Sequence, residues 1–470
     1  MKSPISRPED LHGLKVTVMG LGLNGGGLAS ALFLAKHGAE LTVTDMKDEA
    51  ALAEPLAALA GKPIRFVLGR HELDDFSSAD LVIKNPAVRP DSPYILAARA
   101  VETDISLFLR LTRAPIVAVT GSKGKSTTSS AIHHGFVAAG KRAFLGGNIA
   151  TSPLSFIDET GPDTPVVLEL SSWQLADMRT LGLLKPEIAL IMSIMPDHMN
   201  RYRSMEDYVA DKRLIYSAQD EACWTLCNRD DPWGPSFAAE TRARVAWYAD
   251  RDEGLPGAWL EPPTEGADRR RGFFAGADGP EEILGRELLV PGSHQRKNLL
   301  GAALALRLSG LDASTIRGAL SSFPGVEHRL EYFAEKHGVR WYNDSAATIP
   351  QAVAAALASF ESPIVLITGG TDKNLDFAPV RAAYAKSRLV ILLAGSGTDK
   401  LRPILDEEGV PYLGPFTELA GAVHEAATRS RPGDVVILSP GCTSFGMFLH
   451  EFDRGQKFKE AVRSELDRTR

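Results

Sequence analysis

Short apolar runs rich in Val, Ile and Leu alternate along the chain with longer stretches in which apolar positions recur every three or four residues. The first pattern predicts buried strands and the second amphipathic helices. Strands are expected at residues 14–19, 40–44, 64–68 and 81–84, with a helix over 28–36. A second series follows at 116–120, 165–170 and 188–194, with helices after the first strand, over 205–217 and over 298–309. A third series falls at 339–343, 364–368, 389–394 and 435–438. The Gly-, Pro- and charge-rich stretch 254–279 reads as loops and short antiparallel strands. Strands alternating with helices predict an α/β fold with mostly parallel sheets. A chain of 470 residues gives room for about three such domains. The breaks are expected at residues 1–113, 114–323 and 324–470: a Rossmann-like first domain, a P-loop-type ATPase domain, and a Rossmann-like third.

Composition narrows the class. Hydrophobic residues make up 44% and charged residues 24%, which is an ordinary globular balance. A formal net charge of -7 leaves no global basic footprint for nucleic acid. The three cysteines, Cys223, Cys227 and Cys442, do not make a disulfide framework, and Cys223 and Cys227 flank an apolar Trp-Thr-Leu that favours burial over metal binding. No apolar run approaches the roughly 18 residues of a membrane span, and the N-terminal stretch lacks the apolar core of a signal peptide. A cytoplasmic protein without membrane insertion is the expectation.

The strongest chemistry lies at residues 116–128. An apolar strand runs into Thr120-Gly121-Ser122-Lys123-Gly124-Lys125-Ser126-Thr127, which opens a helical pattern. Glycines let several N–H groups face one anion, and the helix adds the positive end of its dipole. Lys125 suits terminal phosphates, and the Ser126 or Thr127 hydroxyl suits Mg²⁺. Val119 stands where the standard P-loop has its first glycine, so the motif is a shortened form.

Two strands of the same series end in polar groups. One runs into Glu169-Leu-Ser-Ser-Trp-Gln174, the other into Asp197-His198-Met-Asn-Arg201-Tyr202. Catalytic groups collect at the carboxyl ends of neighbouring parallel strands, so Glu169, Asp197 and His198 are expected to face the phosphate loop. Glu169 with Ser126 and Thr127 would offer hard oxygen ligands for Mg²⁺. Lys212 sits in the expected helix over 205–217, and a lysine on a helix is normally solvated.

At the N-terminus, Gly20, Gly22 and Gly25 follow a strand, a helix comes next, and a second strand ends at Asp45. This is the order of the dinucleotide fingerprint, and alone it predicts an NAD-dependent oxidoreductase with Asp45 on a ribose. Asn85-Pro86-Ala87 turns at the carboxyl end of another strand of that domain.

Together these residues resemble the Mur ligases of peptidoglycan synthesis, over essentially the whole chain. The ordered motifs are residues 120–127, Gly147-Asn148-Ile149, residues 169–174, residues 197–202, His328-Arg329, Asn343-Asp344-Ser345 and Ser439-Pro-Gly-Cys-Thr-Ser444. The resemblance implies an ATP-dependent acid–amino-acid ligase. It would add glutamate, in the D form, to UDP-N-acetylmuramoyl-L-alanine through an acyl phosphate, acting as a monomer. The same ligase adding L-glutamate is the alternative, and the oxidoreductase a more distant one.

Carried over residue by residue, the resemblance puts Gly121 to Thr127 on the ATP phosphates, with Gln295, Arg329 and Asp344 on the nucleoside side. Gly22, Leu23, Asn24, Asp45, Asn85, Pro86, Ala87, Asn148 and His198 would hold the uridine-linked substrate, so the glycine loop binds UDP and not NAD. Thr348, Lys373, Ser444 and Phe452 would form the glutamate site. Two Mg²⁺ ions would use Ser126, Glu169, His198 and a carbamylated Lys212. Lys125, His198 and Lys212 would be catalytic. This chain departs from the family at Ala346, where a lysine is common, at Gln295, where asparagine is common, and in a segment between His198 and Lys212 that is one residue short.

Overall fold

The computed structural model describes residues 5–22, 26–149, 151–263 and 268–468. They form an α/β chain with three sheets, of five, nine and six strands. By packing it separates into two units. One holds residues 1–260, 272–283 and 300–316, and the other holds 261–271, 284–299 and 317–470.

The larger unit carries two of the sheets. The first runs in the order Ile64–Leu68, Glu40–Asp45, Lys15–Met19, Leu81–Lys84, Val101–Glu102, all parallel. Its order reverses between Lys15–Met19 and Leu81–Lys84, and a crevice at such a switch point is where open α/β sheets take ligands. In the nine-stranded sheet Ile116–Thr120 lies between Ile188–Ile191 and Val166–Glu169, with Phe144–Gly147 at the edge beyond. On the other side come Trp224–Asn228, Arg244–Ala249 and Gly257–Leu260, still parallel. Every residue of Ile116–Thr120 and Val166–Glu169 is buried, as their unbroken apolar runs require of strands covered on both faces. One buried apolar cluster continues from the first sheet (Val16, Val18, Leu81, Ile83) into the second (Ile116, Ala118, Leu168, Ile191).

The smaller unit contains the third sheet, ordered Glu331–Lys336, Val339–Asn343, Val435–Leu438, Ile364–Gly369, Ser387–Leu393, Tyr412–Phe416. Only its first pairing is antiparallel. Helices cover both faces over two apolar clusters, one around Leu366 and Ile437 and one around Val365, Val436 and Phe458.

Several elements differ from expectation. Gly257–Leu260 pairs parallel with Arg244–Ala249 and antiparallel only with Gly272–Gly276, so the stretch 254–279 is not purely antiparallel. The strand expected over 188–194 stops at Ile191; beyond it the Ser193 carbonyl accepts from the Ser122 N–H of the phosphate loop and the Ile194 N–H is taken by Asp231. The helix expected from residue 298 begins at Ser293. Cys223, Cys227 and Cys442 are buried and unbridged.

Candidate active site

The phosphate loop forms as a left-handed passage between strand and helix. Gly121 has φ +147 and Gly124 φ +89, and the helix Lys125–Ala138 starts directly after. A Cβ on Gly121 would lie 2.6 Å from the Met192 Cβ, so no side chain fits there. Ser122 turns inward. Its hydroxyl donates to the Met195 carbonyl (2.8 Å), accepts from the Met195 N–H (2.9 Å) and lies 3.0 Å from the Tyr208 hydroxyl. Its N–H is bonded to the Ser193 carbonyl at 2.8 Å. Ser122 therefore ties the loop to the neighbouring strand's exit. Lys123 is exposed and stands 4.0 Å from Asp197. Gly124 to Thr127 are half-buried at the helix start.

Lys125 folds back over the loop and donates to the carbonyls of Gly121 (3.0 Å) and Ser122 (3.1 Å). Lys212 reaches the same Gly121 carbonyl at 2.8 Å, with its ammonium 4.5 Å from the Tyr208 ring. The solvated reading of Lys212 is overturned, since it is 2% exposed. Burial, reinforced by the positive charge of Lys125, pushes its pKa down from 10.5 to about 7, against opposing pulls from Asp197 and Asp211. Near pH 7 a substantial share of such a side chain is therefore the free amine, which is nucleophilic enough to take up carbon dioxide, whereas an ammonium is not.

Glu169 ends the strand beside the loop strand, in register with Val119. It is 1% exposed, accepts from the Asn148 amide at 3.0 Å and lies 3.5 Å from the Ser129 hydroxyl. Asn148 is brought there by Gly147 at φ +103, where a Cβ would fall on the Glu169 carbonyl oxygen. A buried carboxylate with hydroxyls at the head of the next helix fits a hard divalent cation.

His198 is exposed, with a left-handed backbone (φ +56), its N–H on the Asp197 carboxylate at 3.0 Å and its ring 5.2 Å from Trp173. The Arg201 guanidinium lies 4.0 Å over the same indole.

In the first sheet, Gly22 donates its N–H to Asp45 at 3.1 Å, which fixes the carboxylate across the start of the glycine loop. Asn85 closes its own turn by accepting from the Ala87 N–H (2.9 Å), and it lies against Gly20. Pro86 is half-buried and Ala87 exposed. Leu23, Asn24 and Gly25 lie outside the described residues.

The smaller unit brings Asp344, Ser439 and Lys373 to the carboxyl ends of three neighbouring strands, while Gln295 and Phe452 lie on helices and Arg329 precedes the first strand. Asp344 follows Val339–Asn343, Ser439 follows Val435–Leu438, and the loop with Lys373 follows Ile364–Gly369. Asp344 accepts from the Ser439 hydroxyl (2.8 Å) and the Leu330 N–H (3.1 Å), and burial pushes its pKa up to about 7. Thr443 donates its N–H (3.1 Å) and hydroxyl (2.9 Å) to the Thr371 carbonyl, which joins the loops bearing Ser444 and Lys373. Ser444 is buried, Thr348 half-buried, and Lys373 and Arg329 are exposed. Phe452 is exposed with its ring 5.4 Å from His328, and Gln295 accepts from the Asn298 amide at 3.0 Å.

Glu327, His328 and Glu331 are close enough together to suggest a cation site. Lys459 already supplies the charge, donating to Glu327 (2.6 Å) and Glu331 (2.9 Å).

Sequence reasoning missed Tyr208, Ser129, Ser193 and Arg454. Arg454 is 1% exposed and donates to the Ser345 hydroxyl (3.0 Å) and the carbonyls of Ser345 (2.8 Å) and Cys442 (3.2 Å). An arginine in a charged helix carries no sign of burial, and only the Arg-Gly pair hinted at close packing there.

A phosphate loop flanked by a buried carboxylate and a buried lysine, in a chain of three α/β domains, defines a nucleotide-dependent ligase of the Mur type. Three family models match: the Mur ligase MurD-like N-terminal domain over residues 14–106, the Mur ligase middle domain over 119–306, and the Mur ligase glutamate ligase domain over 328–442. The chain belongs to the Mur ligase family. Among its curated relatives, a UDP-N-acetylmuramoylalanine--D-glutamate ligase of Treponema pallidum (strain Nichols) is 43% identical, covering 96% of this chain and 98% of the relative. A ligase of the same name from Roseiflexus sp. (strain RS-1) is 40% identical, covering 97% and 99%. In solved structures the fold recurs in the UDP-N-acetylmuramate-alanine ligase MurC of Thermotoga maritima, with TM-score 0.58, 22% identity and coverage of 96% and 99%. Among the described residues no helix is long and apolar enough to cross a membrane.

Proposed function

We propose that this chain joins D-glutamate to UDP-N-acetylmuramoyl-L-alanine at the expense of ATP, in the cytoplasm and as a monomer. The observation that carries the reading is near-full-length identity of about two fifths to curated D-glutamate-adding relatives, in a chain that keeps Lys125, Glu169 and Lys212 around one phosphate loop.

In this reading the domains are residues 1–113 for the uridine-linked substrate, 114–323 for ATP and 324–470 for glutamate and the adenosine side. A carboxylate is a poor electrophile. Transfer of the ATP γ-phosphoryl to it gives an acyl phosphate, which the glutamate amine attacks, and phosphate leaves as the amide forms. The reacting groups are anionic, so the protein's task is to position them and neutralise charge. Lys125 leaves the Gly121 and Ser122 carbonyls for phosphate oxygens. The N–H groups at the start of Lys125–Ala138 face the same oxygens. Ser126 and Glu169 would hold one Mg²⁺, and His198 with a carbamylated Lys212 a second; the ions would screen the phosphate charge. The Asp45–Gly22 bond and the Asn85 turn border the place for the uridine nucleotide. Lys373 and Ser444 are suited to the two carboxylates of glutamate.

The test is phosphate release from ATP with UDP-N-acetylmuramoyl-L-alanine and either D- or L-glutamate at equal concentration. Turnover with D-glutamate is expected. A preference for L-glutamate would move the chain to the alternative, and no release with either would remove the reading.

A further inference from the structure

Lys84 and Asp177 form an ion pair that belongs to none of the sites described. Lys84 is the last residue of the strand Leu81–Lys84, directly before the Asn85-Pro86-Ala87 turn. Its ammonium donates to the Val88 carbonyl at 3.1 Å, which closes that turn from beneath, and to the Asp177 carboxylate at 2.7 Å. Asp177 is the last residue of the helix Ser172–Asp177, whose N-cap Ser171 lies two residues beyond Glu169. That helix is short and locked at its start, where Ser171 accepts from the Gln174 N–H (3.2 Å) and donates with its own N–H to the Gln174 side chain (3.0 Å). The side chains of the pair are 5% and 7% exposed.

The two sheets of this unit already share an apolar cluster, so the pair is not needed merely to join them. Apolar faces set no unique register, and removing two charges from water costs more than apolar contact would. What the pair adds is direction: one ammonium satisfied at the same time by the nucleotide turn and by the end of the helix that follows Glu169. We infer that Lys84 and Asp177 are positioning residues that fix the turn 85–88 relative to Glu169, so that the far end of a nucleotide-linked substrate sets where its reacting carboxylate lies. The inference rests on the proposed reading that this turn holds the uridine nucleotide. It adds that recognition at the turn is transmitted to the phosphate loop through one buried bond. Energy from a remote part of a substrate is then used to align the reacting atoms.

The test compares kcat/KM for the nucleotide-linked acceptor with that for the same muramoyl-alanine lacking its uridine nucleotide. The wild type is measured first; if it shows no preference for the linked acceptor, the reading of the turn fails and the inference with it. Given that preference, K84M and D177N are expected to reduce it about tenfold through the linked acceptor alone, leaving KM for ATP and glutamate unchanged. Equal losses on both acceptors, or an unchanged preference, would overturn the inference while leaving the ligase assignment intact. Because either single variant buries an uncompensated charge, K84M/D177L is the companion. It is expected to melt near the wild type and still lack the preference. A stable double variant with wild-type preference would show the pair to be structural only.

Discussion

Lys212 offers the sharpest check on the physical argument, because its cost to folding and its use in the site are opposed. Within the fold it releases its proton near pH 7, whereas in the unfolded chain it keeps it to about 10.5. Between those values the unfolded state binds more protons, so stability rises with pH across that window. Below pH 7 both states are protonated and the fold carries the whole cost of the buried cation. Each pH unit corresponds to about 1.4 kcal/mol, which puts that cost at about 5 kcal/mol. Lys212→Met removes it, and also removes the bond to the Gly121 carbonyl and the contact with the Tyr208 ring, together about 2 kcal/mol. K212M is therefore expected to be about 3 kcal/mol more stable than the parent at pH 6, with the gain gone by pH 10. Urea unfolding in carbonate-free buffer at pH 6, 8 and 10 measures this, and ligase turnover is expected to be lost in the same variant. A K212M protein less stable than the parent at pH 6, or one with the parent's pH dependence, would refute the reasoning.

Three further outcomes follow from other contacts. Gly147→Ala drives a Cβ into the Glu169 carbonyl oxygen at a positive φ; a loss of about 3 kcal/mol in urea unfolding is expected, with activity falling as Glu169 shifts. Ser122→Ala leaves the part-buried Met195 N–H without its partner and removes the hydroxyl's bond to the Met195 carbonyl; a loss of about 1 kcal/mol is expected, with KM for ATP rising more than KM for glutamate in steady-state kinetics. Asp344 keeps its proton to about pH 7 in the fold against 3.8 outside it, so stability falls as pH rises between those values; D344N is expected to match the parent near pH 4 and exceed it by about 4 kcal/mol at pH 8 in urea titrations.

How far the chain could be read in advance depended on whether the signal was local. The strand, glycine turn and helix at residues 116–138 follow from β-branched runs and positions that only glycine tolerates, and they stand as expected. Glu169 was visible because it ends an apolar run, and a strand's end faces the same edge as its neighbours' ends. Lys212 was not visible, because charged residues flank it in the helix and its burial depends on Tyr208 and a loop ninety-one positions away. Asn148 was expected toward substrate from the family pattern alone, and its bond to Glu169 depends on an edge strand, Phe144–Gly147, that is too glycine-rich to be recognised. Lys84 ends a short apolar run with nothing in the sequence to mark it as buried, and its partner lies ninety-three residues on. Pairing across such distances leaves no periodicity to find.

The Gly121 carbonyl accepts from both Lys125 and Lys212. Two lysine amino groups thus converge on a single backbone acceptor. If Lys212 becomes a carbamate, it ceases to be a donor and its sign reverses. The backbone oxygen is then left to Lys125, and the new anion draws that lysine toward itself as well as toward phosphate. The covalent state of one residue would thereby retune the other's reach across a single backbone oxygen.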